Sequence, residues 1–105
     1  MMRIITWRQN NPAPQGTTPS AGIVAFNELA AAASKVRGAG NVYWGFGNGG
    51  IVTVSLYDDY AVADSILKDP AVQAAVAKIL ALGVGIADDN FVTTPQQVAP
   101  FLPQQ

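Results

Sequence analysis

Neither cysteine nor histidine occurs in the 105 residues, and only 12% of them carry a charge. Without cysteine there is no disulfide framework, thiolate nucleophile, zinc ribbon or iron–sulfur cluster. Without histidine there is no Ser-His-Asp triad, imidazole metal ligand or histidine haem ligand. Six Lys and Arg against seven Asp and Glu give a formal net charge of −1, with no basic cluster. Nucleic acid is therefore not an expected partner, because neutralising phosphates needs grouped cations. The charged fraction is about half of the roughly 25% usual for a globular domain. So little charge implies an apolar surface, part of which is expected to meet another subunit. Long hydrophobic runs are also missing. The most apolar region, residues 71–86, is broken by Gln73, Lys78, Gly83 and Gly85, short of the roughly 18 apolar residues that span a bilayer. No membrane association is expected. Residues 1–8 lack the apolar stretch of a signal peptide, which makes a cytoplasmic location the expectation. At this length residues 1–105 are expected to form one domain around one core.

What is present reads as strands and helices joined by loops, with a tail at the end. Residues 2–9 read as a strand, followed by a loop over residues 10–20 rich in Pro, Gly and Asn. That loop is long for a strand-to-helix connection and suits a lid or a partner contact. From Ala21 to Arg37 the spacing of Ile23, Phe26, Ala30, Ala33 and Val36 predicts a helix. Thr18 or Ser20 is placed to cap it, Gly38 and Gly40 to end it, and four alanines from Ala30 allow close approach to a sheet. A second helical region begins near Tyr60. Its break at Lys68-Asp69-Pro70 is explained by Asp69 capping a new first turn that opens with Pro70. Val72, Val76, Ile79 and Leu80 form its stripe, Gly83 stops it, and a last strand is expected within residues 86–94, around residues 90–93. Residues 95–105 are a Pro/Gln tail carrying Val98, Phe101 and Leu102, suited to clamp onto a partner.

Residues 41–57 hold the strongest local signal, two β-rich runs flanking Gly47-Asn48-Gly49-Gly50. Asn-Gly here favours a type I′ hairpin. With Asn48-Gly49 as the two-residue loop, Phe46 faces Ile51, Trp44 faces Thr53 and Val42 faces Ser55 on one side. The other side pairs Gly45 with Val52, Tyr43 with Val54 and Asn41 with Leu56. The second, aliphatic side suits a covering helix. The first mixes aromatics with hydroxyls and suits a cavity or an interface. The glycine-rich turn sits between antiparallel strands and offers no helix N-terminus to a phosphate.

Strand, helix, strand, strand, helix, strand with right-handed crossovers is a ferredoxin-like βαββαβ fold of the α+β class. It has a four-stranded antiparallel sheet and both helices on one face. The bare sheet face then calls for a symmetric partner, a homodimer through the open face. In element order and length nearly the whole chain resembles the dimeric α/β-barrel superfamily. That group includes antibiotic-biosynthesis-type monooxygenases, muconolactone isomerases, polyketide cyclases, haem-degrading enzymes and stress-responsive barrel proteins. Residues 63–73, with their break before Pro70, carry the most specific likeness. The resemblance implies a homodimer and a cavity either between helices and sheet or inside the barrel, but no particular reaction. The lack of histidine removes the haem-ligating and histidine-base variants.

Trp7, Tyr43, Trp44, Phe46 and Tyr57 either line a pocket for a flat or hydrophobic molecule or fill the core and dimer interface. Thr53, Ser55 and Asn41 are placed to orient such a ligand, with Tyr57 adding a phenol. No base adjoins Ser55 or Thr53, so neither is a candidate nucleophile. Asp58-Asp59 and Asp88-Asp89-Asn90 each offer a candidate general base if buried beside the aromatics, Asp58 or Asp59 first, or oxygen ligands for a hard cation; otherwise they are hydrated strand ends. Arg3 and Arg8 either bind an anionic group or are rim charges. The expected activity is binding of an apolar or aromatic metabolite without metal or cofactor. The resemblance suggests oxygenation, isomerisation or cyclisation of an enolisable substrate. The competing reading is a non-enzymatic stress-response or accessory barrel whose aromatic face is only the dimer core. From Val42 to Tyr57 no residue is charged, so the charge deficit lies in the sheet and marks the expected dimer face.

Overall fold

The computed structural model describes residues 1–92, so the expected strand end at Thr93 and the tail of residues 95–105 lie outside the described residues. The chain runs β1 (Met2–Gln9), α1 (Ala21–Ser34), β2 (Ala39–Gly47), β3 (Gly50–Tyr57), α2 (Tyr60–Lys68), α3 (Pro70–Ala81) and β4 (Val84–Val92). The strands form one antiparallel sheet in the order β2-β3-β1-β4. The helices pack on one face of it, giving the ferredoxin-like βαββαβ arrangement with its second helix split in two.

The split is local chemistry. The Asp69 carboxylate accepts from the backbone N–H of Ala71 and Val72 at 3.0 and 3.1 Å, and Pro70 opens α3, where its missing N–H costs nothing. Asp59 caps α2 in the same way, accepting from Val62 N–H at 3.1 Å. At the other end of α3, Gly83 takes φ 82° and its carbonyl accepts the N–H groups of Asn10 and Asn11. The start of the 10–20 loop is thereby pinned to the α3–β4 turn.

α1 is three residues shorter than the periodicity predicts, and its buried face is turned. Ala25, Phe26, Leu29 and Ala33 are buried, whereas Ile23 is 46% exposed. Because α1 packs against both α3 and β2, small residues at 25 and 33 face inward and the branched Ile23 and Val24 stay outside. Ser20 occupies the N-cap without a side-chain bond. In α3, Val72 and Ile79 are buried as expected, but Leu80 is exposed. β4 begins at Val84, earlier than expected, because Gly83 turns the chain at once into the sheet.

The β2–β3 register is the one counted from the Asn-Gly loop: Phe46 pairs with Ile51, Trp44 with Thr53, Val42 with Ser55, Gly45 with Val52 and Tyr43 with Val54. The expected pairing of Asn41 with Leu56 is lost to an irregularity between Ala39 and Val42. The turn is not type I′, since neither Asn48 nor Gly49 has positive φ. The unusual backbone lies one residue later, at Gly50 (φ 135°), where a Cβ would collide with the Trp7 carbonyl oxygen.

The assignment of faces is reversed. The helices cover the side with Val42, Trp44, Thr53 and Ser55, and the aliphatic side with Val52, Val54 and Leu56 is the open one. Aromatic rings span the depth between sheet and helices: Phe26 of α1 lies edge-on to Trp7 (5.4 Å, 80°) and stacks on Trp44 (5.6 Å, 29°). Alanine-rich helices leave room that only such rings fill. Among the hydroxyls, Thr53 is buried without penalty because its Oγ1 accepts the Trp7 indole N–H at 3.0 Å.

Thr53→Val removes that acceptor and leaves a buried indole N–H unpaired. A loss of about 1–3 kcal/mol is expected, read as a fall in the urea unfolding midpoint, with Thr53→Ser retaining most of the wild-type stability.

Candidate functional site

Between the sheet and the helices lies a cavity of about 110 Å³. Its sheet wall is built from alternate residues of the central strands, Arg3, Ile5 and Trp7 of β1 and Thr53, Ser55 and Tyr57 of β3. The pleat sends every second side chain to this face, and the antiparallel pairing sets Arg3 beside Ser55 and Ile5 beside Thr53. The helices close it with aliphatic side chains, Leu29 and Ala33 from α1 and Ala63, Ile66, Val72 and Val76 from α2 and α3. Leu67 and Ile86, each 49% exposed, are the lining residues that reach solvent most. No residue of the 10–20 loop takes part in the wall.

Of the expected site residues, the structure brings Trp7, Thr53, Ser55 and Tyr57 together on this wall. It places the others elsewhere. Trp44 is clamped to α1, its indole N–H donating to Asn27 Oδ1 at 2.9 Å. Phe46 is 77% exposed near the hairpin tip, edge-on to Trp44. Tyr43 stands on the opposite sheet face, 57% exposed, its hydroxyl accepting from Asn41 Nδ2. Asp58 and Asp59 are exposed at the start of α2 and are not part of the cavity wall. Among the described residues no group of three or more acidic side chains converges as a metal site.

One end of the cavity is polar. The Arg3 guanidinium donates from Nε and Nη2 to the two carboxylate oxygens of Asp89, at 2.8 and 2.5 Å, and lies 5.0 Å from the centre of the Phe91 ring. This bidentate bond to Asp89 is the main reason that the Arg3 pKa lies above its ordinary value, outweighing the desolvation that opposes it. Phe91 also meets Tyr57 edge-on and Tyr60 at a tilt. Tyr57 is only 4% exposed, and its hydroxyl is buried with no hydrogen-bond partner among the described residues. Burial pushes its pKa up from 10.0 to about 12, against the opposing pull of the Arg3 charge. The phenol is therefore neutral at physiological pH, a donor with nothing to donate to. A buried polar group left so costs about 1–3 kcal/mol.

Sequence reasoning weighed Arg3 as an anion-binding or rim charge but missed its pairing with Asp89, and it missed the aliphatic helix wall. The helix residues follow a three- and four-residue rhythm at Leu29 and Ala33 and at Ala63, Ile66 and Leu67, which was a usable signal. The position of Arg3 follows only from pairing β1 with β3 and β4, which no local pattern encodes.

No protein-family model matches the chain, and no curated protein matches it in sequence. Solved structures do match in fold. A dimeric ferredoxin-like protein of unknown function from Thermobifida fusca YX aligns with a TM-score of 0.61 at 18% identity, covering 85% of this chain and 83% of its own. A dimeric protein of unknown function and ferredoxin-like fold from Bacteroides fragilis NCTC 9343 aligns with a TM-score of 0.53 at 13% identity, covering 85% and 91%. At these identities the likeness is one of fold.

The raised Tyr57 pKa has a stability consequence. The unfolded phenol ionises near 10.0 and the folded one near 12, so between those values the folded chain holds the extra proton and stability falls as pH rises. The contribution is complete below pH 10 and lost through pH 12. Over that window wild type is expected to lose about 2–3 kcal/mol more than Tyr57→Phe at most, measured by urea unfolding of both proteins at pH 9, 10, 11 and 12.

Proposed function

We propose that this protein is a homodimer that binds a small apolar molecule in the cavity between its sheet and its helices. The observation that carries the reading is the cavity itself, aliphatic on its helix side. Well-packed domains keep few voids larger than a water molecule. This one approaches the roughly 150 Å³ of an apolar cavity known to admit benzene, and it lies below the roughly 300 Å³ at which drug-sized pockets begin. A ligand of single-ring size is the fit.

The lining supports binding more than proton abstraction. Arg3 and Tyr57 are its ionisable groups, and both hold their protons at neutral pH. Asp59 has work as the cap of α2, so the reading assigns it no base.

The homodimer rests on the open sheet face. Met2, Ile4, Tyr43, Val52, Val54 and Leu56 lie there, none of them charged. The charges on that face, Arg8 and Asp88, sit toward the β2–β3 turn, and Arg8 donates to the Gly49 carbonyl there. Strands of eight residues at about 3.3 Å each, four abreast at about 4.8 Å, make a face of roughly 500 Å². Two faces together cover about 1,000 Å², the lower bound for a biological interface. The two structural neighbours described as dimeric lend the same reading support.

Two measurements test it. Light scattering on the full chain is expected to give twice 11.0 kDa, with Val54→Lys shifting it to monomer; a monomeric wild type removes the dimer. Benzene and toluene are expected to raise the melting temperature of wild type and not of Ala33→Leu, in which the cavity is filled. No shift in wild type with either compound, nor with ring compounds bearing a polar group, removes the ligand site.

A further inference from the structure

We infer that the two copies stack their open sheet faces about a two-fold axis running across the strands, so that Tyr43 of each copy seats over Gly45 of the partner subunit. This stacking rests on the homodimer proposed above and fixes which parts of the two faces meet.

The strand pairing lays the open face out in rows of unequal height. Toward the Met2 end the rows are tall: Leu56 lies beside Met2, and Tyr43, Val54 and Ile4 share the next row. Toward the β2–β3 turn they are low. Gly45 pairs with Val52, then Gly47 with Gly50, and Gly85 lies beside Arg8. Arg8 does not raise that end, because its guanidinium is drawn down to the Gly49 carbonyl.

Gly45 is the glycine that a single copy does not explain. Gly50 is required by its φ of 135° and by the Trp7 carbonyl, and a Cβ on Gly85 would meet the Asn10 side chain at 2.5 Å. At Gly45 φ is not positive, and a Cβ would meet nothing within 4 Å. Glycine inside a strand weakens it, and marks places where something outside approaches the backbone closely. Two residues earlier, on the same face of β2, Tyr43 stands 57% exposed, its hydroxyl held by Asn41 Nδ2 at 3.1 Å. A bump and a hollow therefore adjoin on one strand.

Stacked sheets keep their strands within about 30° of each other, and a symmetric pair of like faces turns about an axis lying between them. An axis along the strands would set each row against its own copy, tall on tall and glycine on glycine. The sheets would then part at the turn end, where the two Arg8 side chains would also meet. An axis across the strands exchanges the rows. Passing through the middle of the face, between the rows of Val54 and Val52, it lays Tyr43 over the partner's Gly45 and Leu56 over the partner's Gly50. Every strand then lies over its own copy, and the two Arg8 positions fall about 20 Å apart along the strands.

Three variants of the full chain test the seat by light scattering across a dilution series. Gly45→Tyr, whose new side chain finds open space within its own copy, is expected to be folded and monomeric where wild type is dimeric. Tyr43→Gly is expected to weaken the dimer by about tenfold or more, as loss of a buried tyrosine anchor does. Tyr43→Gly/Gly45→Tyr exchanges bump and hollow on both copies and is expected to restore the dimer. A monomeric wild type removes both the stacking and the homodimer. If wild type is dimeric and Gly45→Tyr dimerises as tightly, or the double variant stays monomeric, the stacking is overturned while the homodimer stands. Because the chain has no cysteine, Gly45→Cys gives a second readout that decides alone should the tyrosine variants not fold. A short bis-maleimide is expected to link Gly45→Cys to its own copy and not to Asp88→Cys, over which an axis along the strands would place it. The opposite preference overturns the stacking.

Discussion

The indole of Trp7 holds three elements in one place. It stands on β1, the strand flanked by both β3 and β4, and is 2% exposed. Its N–H is bonded to Thr53 of β3, and its ring takes the edge of Phe26 from α1. Phe26 in turn stacks on Trp44 of β2, whose own indole N–H returns to α1 at Asn27. This relay of rings sets the distance between the sheet and α1. The gap it props open is wider than alanines and valines fill, and toward α2 and α3 the unfilled part is the cavity. A core whose two indole N–H groups both find side-chain oxygens is fixed in rotation as well as in depth.

How far local pattern reaches is visible in the β2–β3 hairpin. The register from Val42 to Ser55 was legible because a two-residue loop at Asn48-Gly49 fixes those pairs by counting, and period-two alternation then sorts residues into faces. Which face the helices cover was not legible. Aliphatic residues look like core and aromatics with hydroxyls look like a site, but the relay from Trp7 to Trp44 makes the mixed face the core as well. Thr53 reads as an exposed or functional hydroxyl until Trp7, 46 residues away, is known to donate to it. The break at Asp69-Pro70 was legible for the opposite reason, since cap and proline act within three residues. The stripe of α1 was misplaced because Ile23 outweighs Ala25 in hydrophobicity, whereas packing against both α3 and β2 selects by size. Thr53, Ser55 and Tyr57 were recognisable as wall residues by type and parity, and Trp7 by type alone, since both faces of β1 are partly apolar. Arg3 was not, because its bond to Asp89 spans 86 residues.

The scarcity of charge has two separate causes in this fold. On the helix side the sheet carries one charged pair, Arg3 with Asp89, at the far end of the cavity. Its desolvation is offset by bidentate geometry, and one Phe ring covers it. On the open side the charges are Asp88 of β4 and Arg8 near the β2–β3 turn, and side chains such as Ile4, Val52 and Val54 are only half-buried. A lone domain gains nothing from leaving that surface wet. The requirements of core and open face thus act on alternate residues of the same strands, which is why residues 42–57 hold no charge on either side.

Tyr57 is where these two economies meet. At the end of β3, its ring completes the core beside Phe91, so a phenylalanine would satisfy packing. The hydroxyl adds nothing to that packing and costs the fold a buried, unpaired donor. Elsewhere in this core the chain pairs its buried polar groups, as at Thr53 with Trp7 and Arg3 with Asp89. In a core otherwise so complete, the unpaired phenol is a cost the fold carries for the ring it sets beside Phe91.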